Sequence, residues 1–314
     1  MTTSPGGSRR ALTPVGTALV AVILAACGGG GMSSGSPVSS PPAPRGSPEA
    51  TDIAASAAAR DLILATTTST LDSGLLDVIM PAFEEATGHV AKTVAVGSGQ
   101  ALKMGAEGNA DVLLVHSPAA ERELVASGAG IDRQLVMHNS FLVVGPPADP
   151  AGIRGLTSVR QAFARVVDSG ATFVSRGDDS GTHAKELGYW QEAELSPAAG
   201  WYLQTGQGMA GTLRIASEKA GYTIVDIATW AAIRDQVDLE PFVTEDPSLL
   251  NPYHVIRVNP ERWPLVNAEG AKAFAAYLLS PEGQGLIGAF GRGDDGLQLF
   301  VPDAGKTESD LVAP

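Results

Sequence analysis

The chain has one cysteine in 314 residues, Cys27, so no intrachain disulfide can form and the folded body must hold together by burial alone. Aromatic residues make up 5%, too few for the stacking grooves that hold sugars or single-stranded nucleic acid. Cations are outnumbered, giving a net charge of -13, which argues against a nucleic-acid partner. Any anion this chain binds must be held by local donors against the global field. The five histidines (His89, His116, His138, His183, His254) show no metal-ligand spacing, and no G-x-S-x-G elbow stands between a strand and a helix. Neither metal nor cofactor is expected.

No apolar run is long and unbroken enough for a permanent membrane span. The stretch from Ala11 to Ala26 follows Arg9 and Arg10 and is interrupted by Thr13, Pro14, Gly16 and Thr17, the pattern of an export signal. It ends at Leu24-Ala25-Ala26-Cys27, which resembles the bacterial lipoprotein signal. That resemblance implies cleavage before Cys27, acylation there, and anchoring to the outer face of the cell membrane. The alternative is an ordinary signal peptide with an incidental cysteine. Residues 1–27 are thus read as signal and 28–53, rich in Gly, Ser and Pro, as a flexible tether.

Beyond the tether, apolar runs of strand length alternate with helix-period segments, which predicts an α/β fold with mainly parallel sheets covered by helices. Expected strands include Asp61–Ala65, Val90–Val96, Asp111–Val115, Ala171–Ser175 and Tyr222–Asp226; Asp72 is expected to cap the helix that runs to Gly88. Leu135–Gly145, with its polar break at His138-Asn139-Ser140, reads as a strand leaving one lobe for another, and Tyr253–Val258 as the return. Two crossings predict a discontinuous first lobe (54–139 plus 251–314), a second lobe (140–250), and a ligand cleft between them.

Two segments carry chemistry. Thr66-Thr67-Thr68-Ser69-Thr70 lies between the first strand and the first helix, where open α/β sheets bind ligands. One helix cap explains one hydroxyl, not five in a row. Ser175-Arg176-Gly177-Asp178-Asp179-Ser180-Gly181-Thr182-His183 again follows a strand and precedes a helix. Arg176 offers a planar fork of donors, Ser180 and Thr182 hydroxyls, and Gly177 and Gly181 close backbone approach. A purely structural reading makes Asp178 and Asp179 caps and Arg176 their ion-pair partner; it accounts for the acids better than for the glycines.

SRGDDSGTH from Ser175, together with the TTTST run from Thr66, resembles the tungstate-binding periplasmic proteins of ABC importers. VGSGQALKMG from Val96, ADVLLVHSP from Ala110, RQLVMHNSFLVVGP from Arg133, GQGMAGTL from Gly206 and LLNPYHVIRVNP from Leu249 resemble the same family in the same order. The resemblance covers roughly residues 61–290 and departs at His138 and at Ile227-Ala228. It implies a two-lobed type II periplasmic-binding fold, a permease and ATPase as partners, and a monomer. By position it implies oxyanion contacts from Thr67, Thr68, Ser69 and Ser98 in one lobe and Arg176, Ser180, Gly181 and Thr182 in the other, with Thr212 as a weaker addition.

The RGDDSGT core also resembles phosphate-binding proteins. Phosphate near neutrality carries a proton that needs a buried acceptor, which in those proteins is an acid after the third strand. Here that run is Val115-His116-Ser117-Pro118, without an acid, which predicts a proton-free oxyanion: tungstate, molybdate or sulfate. An exported hydrolase built on Ser180, His183 and the adjacent aspartates is the competing reading from another class. A structural or adhesive lipoprotein is a third, which would leave the donor-rich turns unexplained.

Overall fold

The apolar run after Asp61 forms β1 (Asp61–Thr67), which has parallel partners on both sides, β2 (Val90–Val96) and β3 (Val112–Val115). The computed structural model describes residues 61–198, 200–291 and 298–311, so the expected signal, Cys27 and tether lie outside the described residues. No described helix is long and apolar enough to cross a membrane.

Two long strands extend this parallel core in the opposite sense. β9 (Leu250–Val258) lies antiparallel to β3, and β4 (Gly130–Gly145) lies antiparallel to β9. Residues 130–140 of β4 pair with β9, whereas Phe141–Val144 pair with β7 (Thr223–Asp226) and Val143–Gly145 with β8 (Glu240–Val243). β4 therefore changes partners at Ser140, and the strands fall into two groups joined through it. A short strand, β10 (Val301–Pro302), pairs beside His138, whose Nδ1 meets Asp303 Oδ2 at 2.6 Å. In the second group, β5 (Phe173–Ser175) runs parallel to β6 (Tyr202–Gln204).

Both groups are covered on both faces, which explains why their central strands are continuously apolar. One face of the first group packs Leu75, Leu76, Ile79 and Phe83 of α2 (Leu75–Thr87) with Phe274 and Leu278 of α9 (Ala268–Leu279) and Ile287 of α10 (Pro281–Ala289). The other packs Ala101 and Leu102 of α3 (Ser98–Glu107) and Leu124 of α4 (Pro118–Ala126). In the second group Val159, Phe163 and Val166 of α5 (Val159–Ser169) meet Tyr189 and Trp190 of α6 (Gly181–Glu192) on one side. Met209 and Leu213 of α7 (Met209–Glu218) and Trp230 of α8 (Ile227–Ile233) fill the other.

Asp72 does not cap the helix that ends at Gly88. It is the last residue of a separate short helix, α1 (Thr68–Asp72), and Gly74, at φ +79°, opens α2 without a side-chain cap. The left-handed backbone at Gly74 separates the two helices and is open to glycine at little steric cost. Thr67, not Asp72, is the cap: its Oγ1 accepts from Thr70 N–H, which fixes the threonine run at the carboxyl end of β1. Burial raises the pKa of the freed Asp72 carboxylate against the attraction of Arg176 and Arg214 and the pull of the Ala210 N–H at the start of α7.

Candidate functional site

Each donor-rich turn sits where a strand ends and a helix begins, and the two turns touch. Arg176 Nη2 donates to Thr68 Oγ1 at 3.1 Å, and Gly181 N–H donates to Ser98 Oγ at 3.1 Å. Gly99 N–H also reaches the Asp179 carbonyl at 3.4 Å. Residues from β1, α1 and α3 of the first strand group thus face residues after β5 of the second. The glycines make this approach possible. A Cβ on Gly181 would lie 2.8 Å from both Ser98 Oγ and Ser117 Oγ, and one on Gly99 would lie 3.1 Å from the Asp179 carbonyl.

Arg176 is 2% exposed, and much of its fork is already committed. Nε and Nη2 donate to Asp178 Oδ2 at 3.1 and 2.6 Å, while Asp178 Oδ1 accepts from Ser180 N–H at 3.2 Å. The expected capping role of the two aspartates is therefore held by another residue. Ser180 Oγ caps α6 by accepting from His183 N–H; Asp179 stands at φ +56° with an exposed side chain. Thr182 Oγ1 is buried with no hydrogen-bond partner among the described residues, an uncompensated donor beside the N-terminus of α6.

Of the first-group residues, Thr67 and Ser69 are buried and lie 3.1 Å apart at their hydroxyls, and Thr68 meets Arg176. Thr212 is not brought to this contact. Its hydroxyl is spent on Thr205 Oγ1 at 2.9 Å and the Gln207 carbonyl at 3.3 Å, and it reaches the cluster only through Thr205, which donates to the Arg176 carbonyl.

Residue types alone missed His116. It follows β3, is 4% exposed, and places Nε2 3.2 Å from both Ser69 Oγ and Thr67 Oγ1. Its Nδ1 lies 3.0 Å from Asn251 Oδ1; Asn251 Nδ2 in turn donates to Asn139 Oδ1 and the Tyr253 hydroxyl. An amide oxygen can only accept, so Nδ1 carries the proton and Nε2 is an acceptor. Burial, with Arg176 nearby, lowers the His116 pKa to about 4, so the ring is neutral. The expectation of a site without a proton acceptor, drawn from the missing acid after β3, is thereby corrected: His116 stands at that place and offers a lone pair.

A cavity of about 250 Å³ adjoins the contact and is lined by His116, Ser117, Phe141, Gly181, Lys185 and Asn251 among others. A larger depression, about 490 Å³, opens beside Arg133, His254 and Glu308, and none of the donor-rich residues lines it. Of the donor-rich residues, Gly181 alone lines the smaller one. No group of three or more metal-ligating side chains exists among the described residues.

Three comparisons bear on this arrangement. Residues 52–282 match the PBP superfamily domain. The chain is 48% identical over 247 residues to the tungstate-binding protein TupA of Peptoclostridium acidaminophilum, covering 78% of this chain and 86% of that one. Among solved structures, it is similar to the tungstate ABC transporter from Geobacter sulfurreducens (42% identity, TM-score 0.67, 72% of this chain and 97% of that one). It is also similar to the tungstate-binding protein TupA from Desulfovibrio alaskensis (43% identity, TM-score 0.65, 78% and 99%).

Proposed function

Because this chain belongs to the PBP superfamily and, within it, to the family of tungstate-binding proteins, we propose that it captures tungstate and delivers it to an ABC importer as its substrate-binding component. The observation that carries the reading is the meeting of Arg176 with Thr68 and of Gly181 with Ser98 across two strand groups, beside the orphaned Thr182 hydroxyl. A tetrahedral oxyanion needs converging donors from several directions, and this contact supplies them.

The oxyanion-binding set is Thr67, Thr68, Ser69, Ser98, Arg176, Ser180, Gly181 and Thr182, with Thr212 as a support behind Arg176. We place the lobe boundaries at 139/140 and 250/251, close to the point past Ser140 where β4 exchanges β9 for β7. Anion bridging favours the form in which the two turns touch, and a permease with its ATPase recognises that form. The protein works as a monomer, exported and held by lipid at Cys27 on the outer face of the cell membrane. With His116 offering an acceptor, tungstate is preferred over phosphate on the strength of the relatives rather than of proton bookkeeping.

The site is a binding site rather than an active site. Ser180 Oγ accepts from the backbone of His183, and His183 Nδ1 accepts from Asp179 N–H, so His183 makes no hydrogen bond that would set it as a base on Ser180. Titration calorimetry with tungstate, molybdate, sulfate and phosphate tests the assignment. Tungstate should bind more tightly than sulfate and phosphate; tighter binding of sulfate or phosphate would replace the assignment. A screen on phosphate and ester substrates should give no turnover.

A further inference from the structure

Whatever dianion enters this site finds little countercharge. The one buried guanidinium among the described residues, Arg176, already pairs with Asp178 at 2.6 Å. Two more carboxylates feel Arg176: Asp72, and Asp226, which is 1% exposed and caps α8 through Thr229. The N-termini of α3 and α6 contribute partial charge only.

The hydroxyls are also short of protons. His116 Nε2 faces Thr67 and Ser69 at equal distance, and its lone pair takes one of their two hydroxyl protons. Thr67 Oγ1 additionally neighbours Thr70 Oγ1 at 2.7 Å and accepts from Thr70 N–H. While Nε2 accepts, at most one of Thr67 and Ser69 can turn its proton toward a ligand.

We infer that His116 takes up a proton when a proton-free oxyanion binds, so that Nε2 changes from accepting a hydroxyl to donating to one. The inference rests on the oxyanion-binding reading above. The step balances simply: solvent supplies one proton, Nε2 gains an N–H bond, and no other bond breaks. It adds one unit of positive charge beside the dianion and releases a hydroxyl proton for the anion. Asn251 is the positioning residue, because its acceptor oxygen holds the proton on Nδ1 and leaves Nε2 to make the exchange.

The groups facing the ring allow it. Tyr253, at 4.7 Å between ring centroids, stays neutral, its pKa raised by burial; Phe141 and the hydroxyls of α1 carry no charge. Lys185 lines the same cavity and Arg176 opposes a charged ring; together with burial, Arg176 holds the free-protein pKa to about 4. One opposite unit charge within 4–6 Å raises such a pKa by about 1–3 units, and a dianion by more, which brings His116 into the neutral range.

The test is calorimetric titration with sodium tungstate near pH 7 in buffers of differing ionisation enthalpy. The slope of observed heat against buffer enthalpy should give uptake of a sizeable fraction of a proton per anion, rising toward one as the pH is lowered below 7. In His116→Gln the slope should fall to zero. Asn251→Asp, which places a carboxylate behind Nδ1 and charges the ring beforehand, should reduce the slope in a variant that keeps its histidine. Nitrogen-15 shifts of His116 should report an Nδ1–H tautomer without anion and a doubly protonated ring with it. Binding heat with no buffer dependence, or an unchanged slope in His116→Gln, would overturn the inference and leave the function standing. No heat with tungstate, molybdate, sulfate or phosphate would overturn both.

Discussion

Arg176 Nη2 and Thr68 Oγ1 stand 3.1 Å apart although 108 residues separate them, and this bond ties the turn after β5 to the turn after β1. Because the same guanidinium also holds Asp178, its loss has two effects that can be separated. Arg176→Ala should weaken tungstate binding by at least about a hundredfold and destabilise the fold by about 1–3 kcal/mol, since Asp178 is left without its cation. Adding Asp178→Ala should restore the melting temperature but not the affinity. Recovery of both would place Arg176 outside the site.

Gly181 tests closeness rather than charge. A methyl group there would press on Ser98 Oγ and Ser117 Oγ at 2.8 Å and on His116 Cε1 at 3.0 Å, atoms that belong to the first strand group. Gly181→Ala should leave melting without anion nearly unchanged and abolish most of the stabilisation that saturating anion gives, about 2.7 kcal/mol at a hundredfold the dissociation constant. A full anion-induced shift in that variant would mean that the two turns need not approach.

Stability should fall in mild acid through His116. Its pKa drops from 6.5 to about 4 on burial, so the unfolded chain binds the extra proton first as pH decreases. The contribution is present above pH 6.5 and is lost as pH falls toward 4, amounting to about 3 kcal/mol. Comparing urea midpoints of the anion-free protein and His116→Gln at pH 7 and pH 4.5 isolates it; parallel changes in both would show that other groups carry the acid sensitivity.

Glu186 offers a control away from the anion. It is 2% exposed and accepts from Trp190 Nε1 at 3.0 Å and the Tyr202 hydroxyl at 2.7 Å. Glu186→Ala orphans both donors and should cost about 2–4 kcal/mol in urea unfolding while leaving tungstate affinity essentially unchanged. A large loss of affinity would show that the α6 packing transmits to the site.

Much of the fold is legible in the sequence because burial on two faces writes itself as apolar runs: Val90–Val96 and Tyr222–Asp226 differ from the observed strands by a residue at most. Three strands are not legible. β6 is Tyr-Leu-Gln, largely exposed, β10 has two residues, and β8 begins Glu-Pro; none carries a pattern of its own. Asp72 misleads because capping is a local preference, and here Thr67 satisfies it one turn earlier. At the site, the turns after β1 and β5 are legible because strand-to-helix turns announce themselves through Ser, Thr and Gly, and the structure brings the two into contact. His116 is not, because its meaning depends on Asn251, 135 residues away.

Where the anion sits is measured most directly by a crystal structure of the protein grown with tungstate, with the tungsten located by its anomalous scattering. One strong peak should lie within hydrogen-bonding reach, through its oxygens, of Thr68, Ser98, Arg176 and Thr182. A peak elsewhere, or none between the two turns at saturating tungstate, would contradict the account.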